Sequence, residues 1–225
     1  TNLGMAVIRE HFATRGLGLH NDLQNEHSIV GNNISLLLML HYGSEAQKDE
    51  WVDSLANGTQ GFAFGITEPQ HGSDATHMET SARRDGDEWV INGEKTWNTG
   101  IHKASHDLIF ARTSGNPGDG EGITAFLVPS KSDGFKIEEM LWTFNMPTDH
   151  GHISLKDVRV TAETILGEEG RGLQVVQHFF NENRIRQAAA SLGAAQFCIN
   201  ESVAYAKQRS PFGKPLATNQ AIQFP

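Results

Sequence analysis

The sequence predicts an α+β multidomain fold: an N-terminal helical segment, a middle antiparallel β-barrel, and an incomplete C-terminal helical bundle. Three observations lead there. Apolar residues recur at helical spacing up to about residue 60, the period changes to two from Phe62 to about Leu166, and helical spacing returns from Leu173 to Gln208. The expected segments are therefore 1–60, 61–166 and 167–225.

The leucine-rich run Ile29 to Tyr42 reads as a buried helix. Ser44-Glu45-Ala46-Gln47 has the form of a capping box, opening a second helix that runs to Leu55 before Asn57-Gly58 stops it. In the middle segment, Trp89-Val90-Ile91 and Lys95-Thr96-Trp97 flank Asn92-Gly93, a pair that tolerates positive φ and so predicts a two-residue hairpin. Further strands are expected at Leu108 to Arg112, Thr124 to Val128, Phe135 to Glu138, His152 to Leu155 and Val158 to Val160. Short strands without intervening helices indicate a closed barrel or a sandwich. The glycine-rich run Gly167 to Gly172 marks the boundary to a long helix, in which Val175, Val176, Phe179, Phe180, Ile185, Ala188, Ala189 and Leu192 are apolar. A last helix starts after Pro215.

Composition narrows the function. A formal charge of -9, with no run of basic residues, argues against nucleic-acid binding through a basic face. The longest apolar run, Ile34 to Leu40, is two helical turns, too short for membrane insertion. Cys198, the single cysteine, excludes an intrachain disulfide and is read as a packing residue beside Ala194 and Ala195. The chain starts at Thr1 without a signal-peptide pattern and ends within the apolar stretch Ala221 to Phe224, so it reads as a fragment, not secreted.

Two segments carry chemistry. Thr67-Glu68-Pro69 and Gly72-Ser73-Asp74 follow the apolar strand Phe62 to Ile66, making a rigid turn rich in hydroxyls and amides that suits an anionic or carbonyl-rich ligand, or simply a barrel corner. Lys95 to Gly100 sets the Trp97 indole on one side of a strand and threonines on the other, with a glycine that lets a flat ligand approach.

These segments, with Asp85-Gly86-Asp87, Asn92-Gly93-x-Lys95-x-Trp97, Leu166-Gly167-x-x-Gly170-x-Gly172 and Arg209-x-x-Phe212-Gly213-x-Pro215-Leu216-x-x-x-Gln220, resemble the acyl-CoA dehydrogenase family from about Leu40 onward. The resemblance implies FAD-dependent α,β-dehydrogenation of an acyl-CoA thioester, with hydride passing to flavin N5 and electrons to an electron-transfer flavoprotein, as in fatty-acid β-oxidation. It implies that Phe64, Ile66 and Thr67 line the flavin, that Ser73 lies between flavin and acyl-CoA, and that Trp97, Asn98 and Thr99 hold the ring from its other side. The Thr99 hydroxyl would lie near N5. Arg209, Ser210, Phe212 and Gln220 would reach the FAD of a neighbouring subunit in a homodimer or homotetramer, and Arg184 would face the CoA end of the substrate. Bacterial cytoplasm and mitochondrial matrix are both compatible locations.

Two departures stand out. The family's Trp-Ile-Thr/Ser-Asn is Trp97-Asn98-Thr99-Gly100, which suggests a more polar or differently shaped pocket. The position of the base in a minority of relatives holds Asn183, which takes no proton at useful pH; its neighbour Glu182 is turned about a third of the way round the helix, so the base is expected beyond Pro225. Three other functions compete: a flavin oxidase or monooxygenase on the same fold, a scaffold without chemistry, and a metal-dependent hydrolase using His102 with His106 or His150 with His152. No metal ligand set is assigned, because HExxH and CxxC are absent.

Overall fold

The computed structural model describes residues 1–19, 33–143 and 146–224, and they divide into two compact units, 1–32 with 180–225 and 33–179. In the first unit, α1 (Asn2–Ala13) begins at Thr1, whose hydroxyl accepts from the Gly4 amide. Most of the long helix α4 (Gly172–Gln208) belongs here too, followed by 3-10 turns at Pro211–Gly213 and Leu216–Thr218 and the short α5 (Gln220–Gln223). α1 and α4 approach closely at Gly193, where a Cβ would come within 2.5 Å of both the Glu10 carbonyl oxygen and the Ala13 methyl. Only a residue without a side chain permits that spacing.

The sheet unit opens with α2 (Ile34–Tyr42) and α3 (Glu45–Ala56). Residues 29–32 of the expected leucine-rich helix lie outside the described residues. The capping box forms as the sequence predicts: the Gln47 amide donates to the Ser44 hydroxyl, and the Ser44 amide donates to the Gln47 side chain. Gln47 also donates to the Glu163 and Ile165 carbonyls, so one residue closes the helix and ties it to the end of the sheet.

Seven strands follow: β1 (Phe62–Gly65), β2 (Ser81–Asp85), β3 (Glu88–Thr99), β4 (His106–Arg112), β5 (Ile123–Pro129), β6 (Phe135–Thr143) and β7 (Met146–Thr161). Their order is β1-β4-β2-β3-β7-β6, with β5 on the other side of β4. The expected closed antiparallel barrel is corrected to a curled, mixed half-barrel. β1 pairs parallel with β4, β2 meets β4 in parallel at Ser81 and Arg112, and the described residues show no pairing that closes the sheet. Alternation reports which face a residue occupies but not its neighbour strand, so the β4 crossover left no trace in the pattern.

Two local expectations change as well. Asn92-Gly93 is no hairpin: β3 runs through it, and the hairpin turn is at Gly86-Asp87, where Asp85 pairs with Glu88 and Gly86 has φ 65°. The two short strands expected between His152 and Val160 are one strand, β7, with an irregularity at Asp157 (φ 50°). The Asn92 side chain explains both, since it accepts from the Asp157 amide and donates to the Asp157 carboxylate, holding the two strands through a bulge.

The core under the sheet gathers Ile91, Ile109, Phe126, Val128, Ile153 and Val158. Apart from this cluster, the Phe179 ring of α4 lies 4.6 Å from Phe64, and Phe64 in turn lies 5.1 Å from Phe110. Val175 and Val176 are buried as expected, whereas Ile185 and Leu192 are exposed. Cys198 also differs from expectation: it is exposed and does not pack.

Candidate functional site

The two segments singled out by the sequence meet. The Thr96 amide donates to the Thr67 carbonyl (2.9 Å), and beneath that bond the buried Lys95 ammonium lies 2.8 Å from the Glu68 carboxylate and 3.2 Å from the Ile66 carbonyl. Glu68 accepts in addition from the amides of Glu79 and Thr80, so both of its oxygens are hydrogen-bonded. The turn itself closes through reciprocal backbone bonds between Glu68 and His71. Burial alone would raise the Glu68 pKa, but the Lys95 charge and these hydrogen bonds outweigh it and hold the carboxyl below its ordinary value. Burial lowers Lys95 to about 8 against the opposing pull of Glu68. This ion pair positions the turn on the strand, a role the sequence motif did not disclose.

Trp97 is the extra residue of a bulge. Thr96 pairs with His152 and Asn98 with Gly151, leaving Trp97 without a partner opposite it, at φ 67°. A bulky aromatic in the left-handed region is costly, and such strain persists where surrounding structure enforces it. Here the bulge turns the indole out to 47 % exposure, while the next two residues point in. The expected alternation of Trp97 against the threonines is thus broken by one inserted residue.

Asn98 is placed in the interior, fully buried, and its amide donates to the Asp107 carboxylate at 2.5 Å. Any contribution of Asn98 to a surface ligand is therefore indirect. Burial pushes the Asp107 carboxyl up to about 7. Asn98 Oδ1 and Asp107 Oδ1 are each buried without a hydrogen-bond partner among the described residues. Gly65 makes room for the pair, since a Cβ there would come within 2.8 Å of the Asn98 amide nitrogen. Sequence reasoning missed Asp107; a lone acid in the apolar strand Leu108 to Arg112 was the available signal.

The remaining predicted residues of this unit lie close in sequence to the junction. Ile66 and Thr99 are buried, Thr67 and Phe64 are half-buried, and Ser73 is exposed. The backbone amides of Gly72 and Ser73 have no partner among the described residues, and a Cβ on Gly72 would meet nothing within 4 Å. The Thr99 hydroxyl lies 2.9 Å from His150 Nδ1, a contact the sequence did not suggest. A half-exposed indole on β3, and free amides on the turn that the Thr96–Thr67 bond joins to that strand, are groups that suit a flat, carbonyl-edged heterocycle with an apolar face and polar rims.

In the helical unit, Glu182 is 3 % exposed, and neither carboxylate oxygen has a hydrogen-bond partner among the described residues. It lies near enough to the buried Arg9 for its charge to raise that guanidinium's pKa against burial and the Arg186 charge. Glu182 is thus an interior charge among arginines. Asn183 accepts from Arg186 (2.6 Å). Arg184 is exposed, with its guanidinium 5.4 Å from the Phe180 ring. Arg209, Ser210 and Gln220 are exposed, and Phe212 is fully so at φ 55°.

The histidine pairs separate into unrelated contacts. His106 lies against Trp51 (4.7 Å between rings), His150 against Thr99, and His152 against Glu94 (3.3 Å). Among the described residues no three His, Cys, Asp or Glu side chains gather to hold a metal.

Residues 63–158 match the model of the acyl-CoA dehydrogenase middle domain, and residues 170–225 match that of the acyl-CoA dehydrogenase C-terminal domain. The chain belongs to the acyl-CoA dehydrogenase family. It is 37 % identical over 198 residues to the mouse mitochondrial short-chain specific acyl-CoA dehydrogenase, a match covering 87 % of this chain and 47 % of that protein. It is also 37 % identical over 205 residues to a 3-(aryl)acrylate reductase of Clostridium sporogenes, covering 90 % of this chain and 52 % of the relative. Among solved structures, a glutaryl-CoA dehydrogenase of Mycobacterium smegmatis in complex with FADH2 superposes with a TM-score of 0.70 at 35 % identity, covering 86 % of this chain and 48 % of that one. The chain thus spans about half the length of the curated relatives it matches.

Proposed function

We propose that this chain is the flavin-holding part of an FAD-dependent acyl-CoA dehydrogenase. The junction of the Thr67 turn with the Trp97 bulge carries the reading. It presents a flat indole, two threonines and the free amides of Gly72 and Ser73, residue types suited to an isoalloxazine ring. Trp97 would cover one face, Thr67 and Thr99 would direct their hydroxyls at the ring's polar edge, and Phe64 and Ile66 would back it from the sheet. Ser73 would stand between flavin and thioester. Bound there, FAD supplies the two-electron acceptor for oxidation of a CH–CH bond.

The chain's residues do the rest by position. Lys95 and Glu68 hold the turn rigid, because moving it would separate a buried charge pair. In the helical unit, Arg184 would meet the CoA end of the substrate, while Arg209, Ser210, Phe212 and Gln220 would serve the cofactor of a second subunit, making a homo-oligomer part of the proposal. An electron-transfer flavoprotein would take the electrons. Asn183 and the interior Glu182 leave the α-proton without a base on this stretch of helix, so Glu182→Gln would leave the flavin reducible by substrate.

The test is direct. The chain, purified and reconstituted with FAD, should show the flavin absorption bands and lose them on anaerobic addition of a short acyl-CoA once the rest of the enzyme is present. Trp97→Ala should weaken FAD binding by about tenfold or more, as expected for loss of a stacking ring. A wild-type chain that takes up no FAD would overturn the reading; stoichiometric oxygen uptake during turnover in air would favour an oxidase.

A further inference from the structure

We propose that His150 is a positioning residue that decides whether the Thr99 hydroxyl donates or accepts toward the ring edge of the bound flavin. The inference rests on the proposed flavin site and adds to it a residue on the neighbouring strand.

Thr99 and His150 are register partners on β3 and β7, with Thr99 Oγ1 2.9 Å from His150 Nδ1. The same imidazole stands edge-on to Trp97, with ring centroids 6.0 Å apart at 71°. One histidine therefore touches two of the residues proposed to hold the ring. A threonine hydroxyl has a single hydrogen. When Nδ1 is bare, that hydrogen is committed to the imidazole, and Thr99 offers a ligand only a lone pair. When Nδ1 carries a proton, the imidazole donates to Oγ1, and the hydroxyl hydrogen is free to point at the ligand. The 2.9 Å separation fits either arrangement, so the proton's location sets the polarity presented to the site.

Charged groups from several elements lie around the imidazole. Asp149 Oδ1 lies 3.7 Å from Nδ1. The carboxylates of the flanking strands, Glu94 on β3 and Glu139 on β6, are at 3.3 and 3.9 Å from His152 nitrogens. Lys95 on β3 is turned to Glu68. The turn after β3, held to β7 by the Gly100 amide on the Asp149 carbonyl, carries His102 and Lys103.

The experiment uses the full chain reconstituted with FAD, following flavin absorption and FAD affinity from pH 5.5 to 8.5. Wild type should show a one-proton transition, with FAD bound about fivefold more weakly on the alkaline side, the size of one lost hydrogen bond. His150→Asn, whose amide can donate toward Thr99 at every pH, should abolish the transition and retain the acid-side spectrum. Thr99→Val should also abolish it while His150 still titrates, as read from the imidazole nitrogen shifts of the flavin-free chain. Far-UV circular dichroism and the unfolding midpoint check that both variants fold. A transition that survives in either variant, or that is missing in wild type that binds FAD, overturns the role of His150. Failure of wild type to bind FAD at all removes the flavin reading itself, an outcome distinct from the other two.

Discussion

Asp107 shows how a single residue can be decisive and still be hard to see in sequence. Its neighbours Leu108, Ile109 and Phe110 announce a buried strand, and the acid among them is fully buried too, bonded to Asn98. Thr67, Trp97 and Thr99 stood out as candidates because aromatic, hydroxyl and glycine residues at fixed spacing suggest a chemistry. Asp107 and His150 were not, since their roles arise from partners on other strands. The Asp107 environment makes a prediction with a definite sign. Its carboxyl rises from 3.8 to about 7 on folding, so between those values the native state holds a proton that the unfolded chain has released. Stability should therefore fall as pH rises from about 4 to 7 and then level off, by on the order of 4 kcal/mol. Asp107→Asn supplies a permanent donor to the unpartnered Asn98 oxygen and should flatten this slope, leaving the variant the more stable of the two at pH 8. Urea unfolding at pH 5 and pH 8 decides it; parallel slopes for parent and variant would sink the account.

At the scale of elements, what periodicity can report was read well. The capping box at Ser44, the stop at Asn57-Gly58 and the start and end of the long helix were all legible, because caps and apolar spacing are local. Ser44→Ala should cost about 1 kcal/mol, measurable as a lower unfolding midpoint. β3 was misjudged for a physical reason. Asn92-Gly93 has the chemistry of a hairpin, but the same tolerance of positive φ serves a bulge in a continuous strand, and only the partner strand distinguishes the two. Gly93 sits at φ 150°, and a Cβ there would come within 2.6 Å of the Thr80 Cα, an encounter with backbone that no rotamer relieves. Gly93→Ala should destabilise by about 3 kcal/mol, since strain and collision add. Because β3 carries Lys95 and Trp97, FAD affinity should fall with it. A variant with native stability would show that the bulge relaxes freely.

For the whole molecule, the order of helices, strands and helices was readable, whereas strand adjacency was not, because β4 pairs with β1 in parallel across a long connection. The proposed second subunit gives the site a further dimension. Arg209, Ser210 and Gln220 are exposed, and Phe212 projects entirely into solvent at a left-handed φ of 55°, a conformation expensive for an aromatic unless it serves a contact. If these residues reach a neighbour's FAD, cofactor binding and assembly are linked: FAD should shift the chain toward the dimer or tetramer, and dilution should release FAD. Arg209→Gln removes a planar cation suited to a pyrophosphate while leaving the fold, because the Arg209 backbone, not its side chain, makes the recorded bonds to Tyr205 and Leu216. The expected result is an unchanged unfolding midpoint without cofactor, FAD binding weaker by about tenfold, and loss of the FAD-induced mass increase in sedimentation. If Arg209→Gln retains both FAD affinity and the mass shift, the exposed turn does not serve a neighbour's cofactor. A loss of affinity with an undisturbed mass shift would instead make Arg209 a ligand within its own subunit.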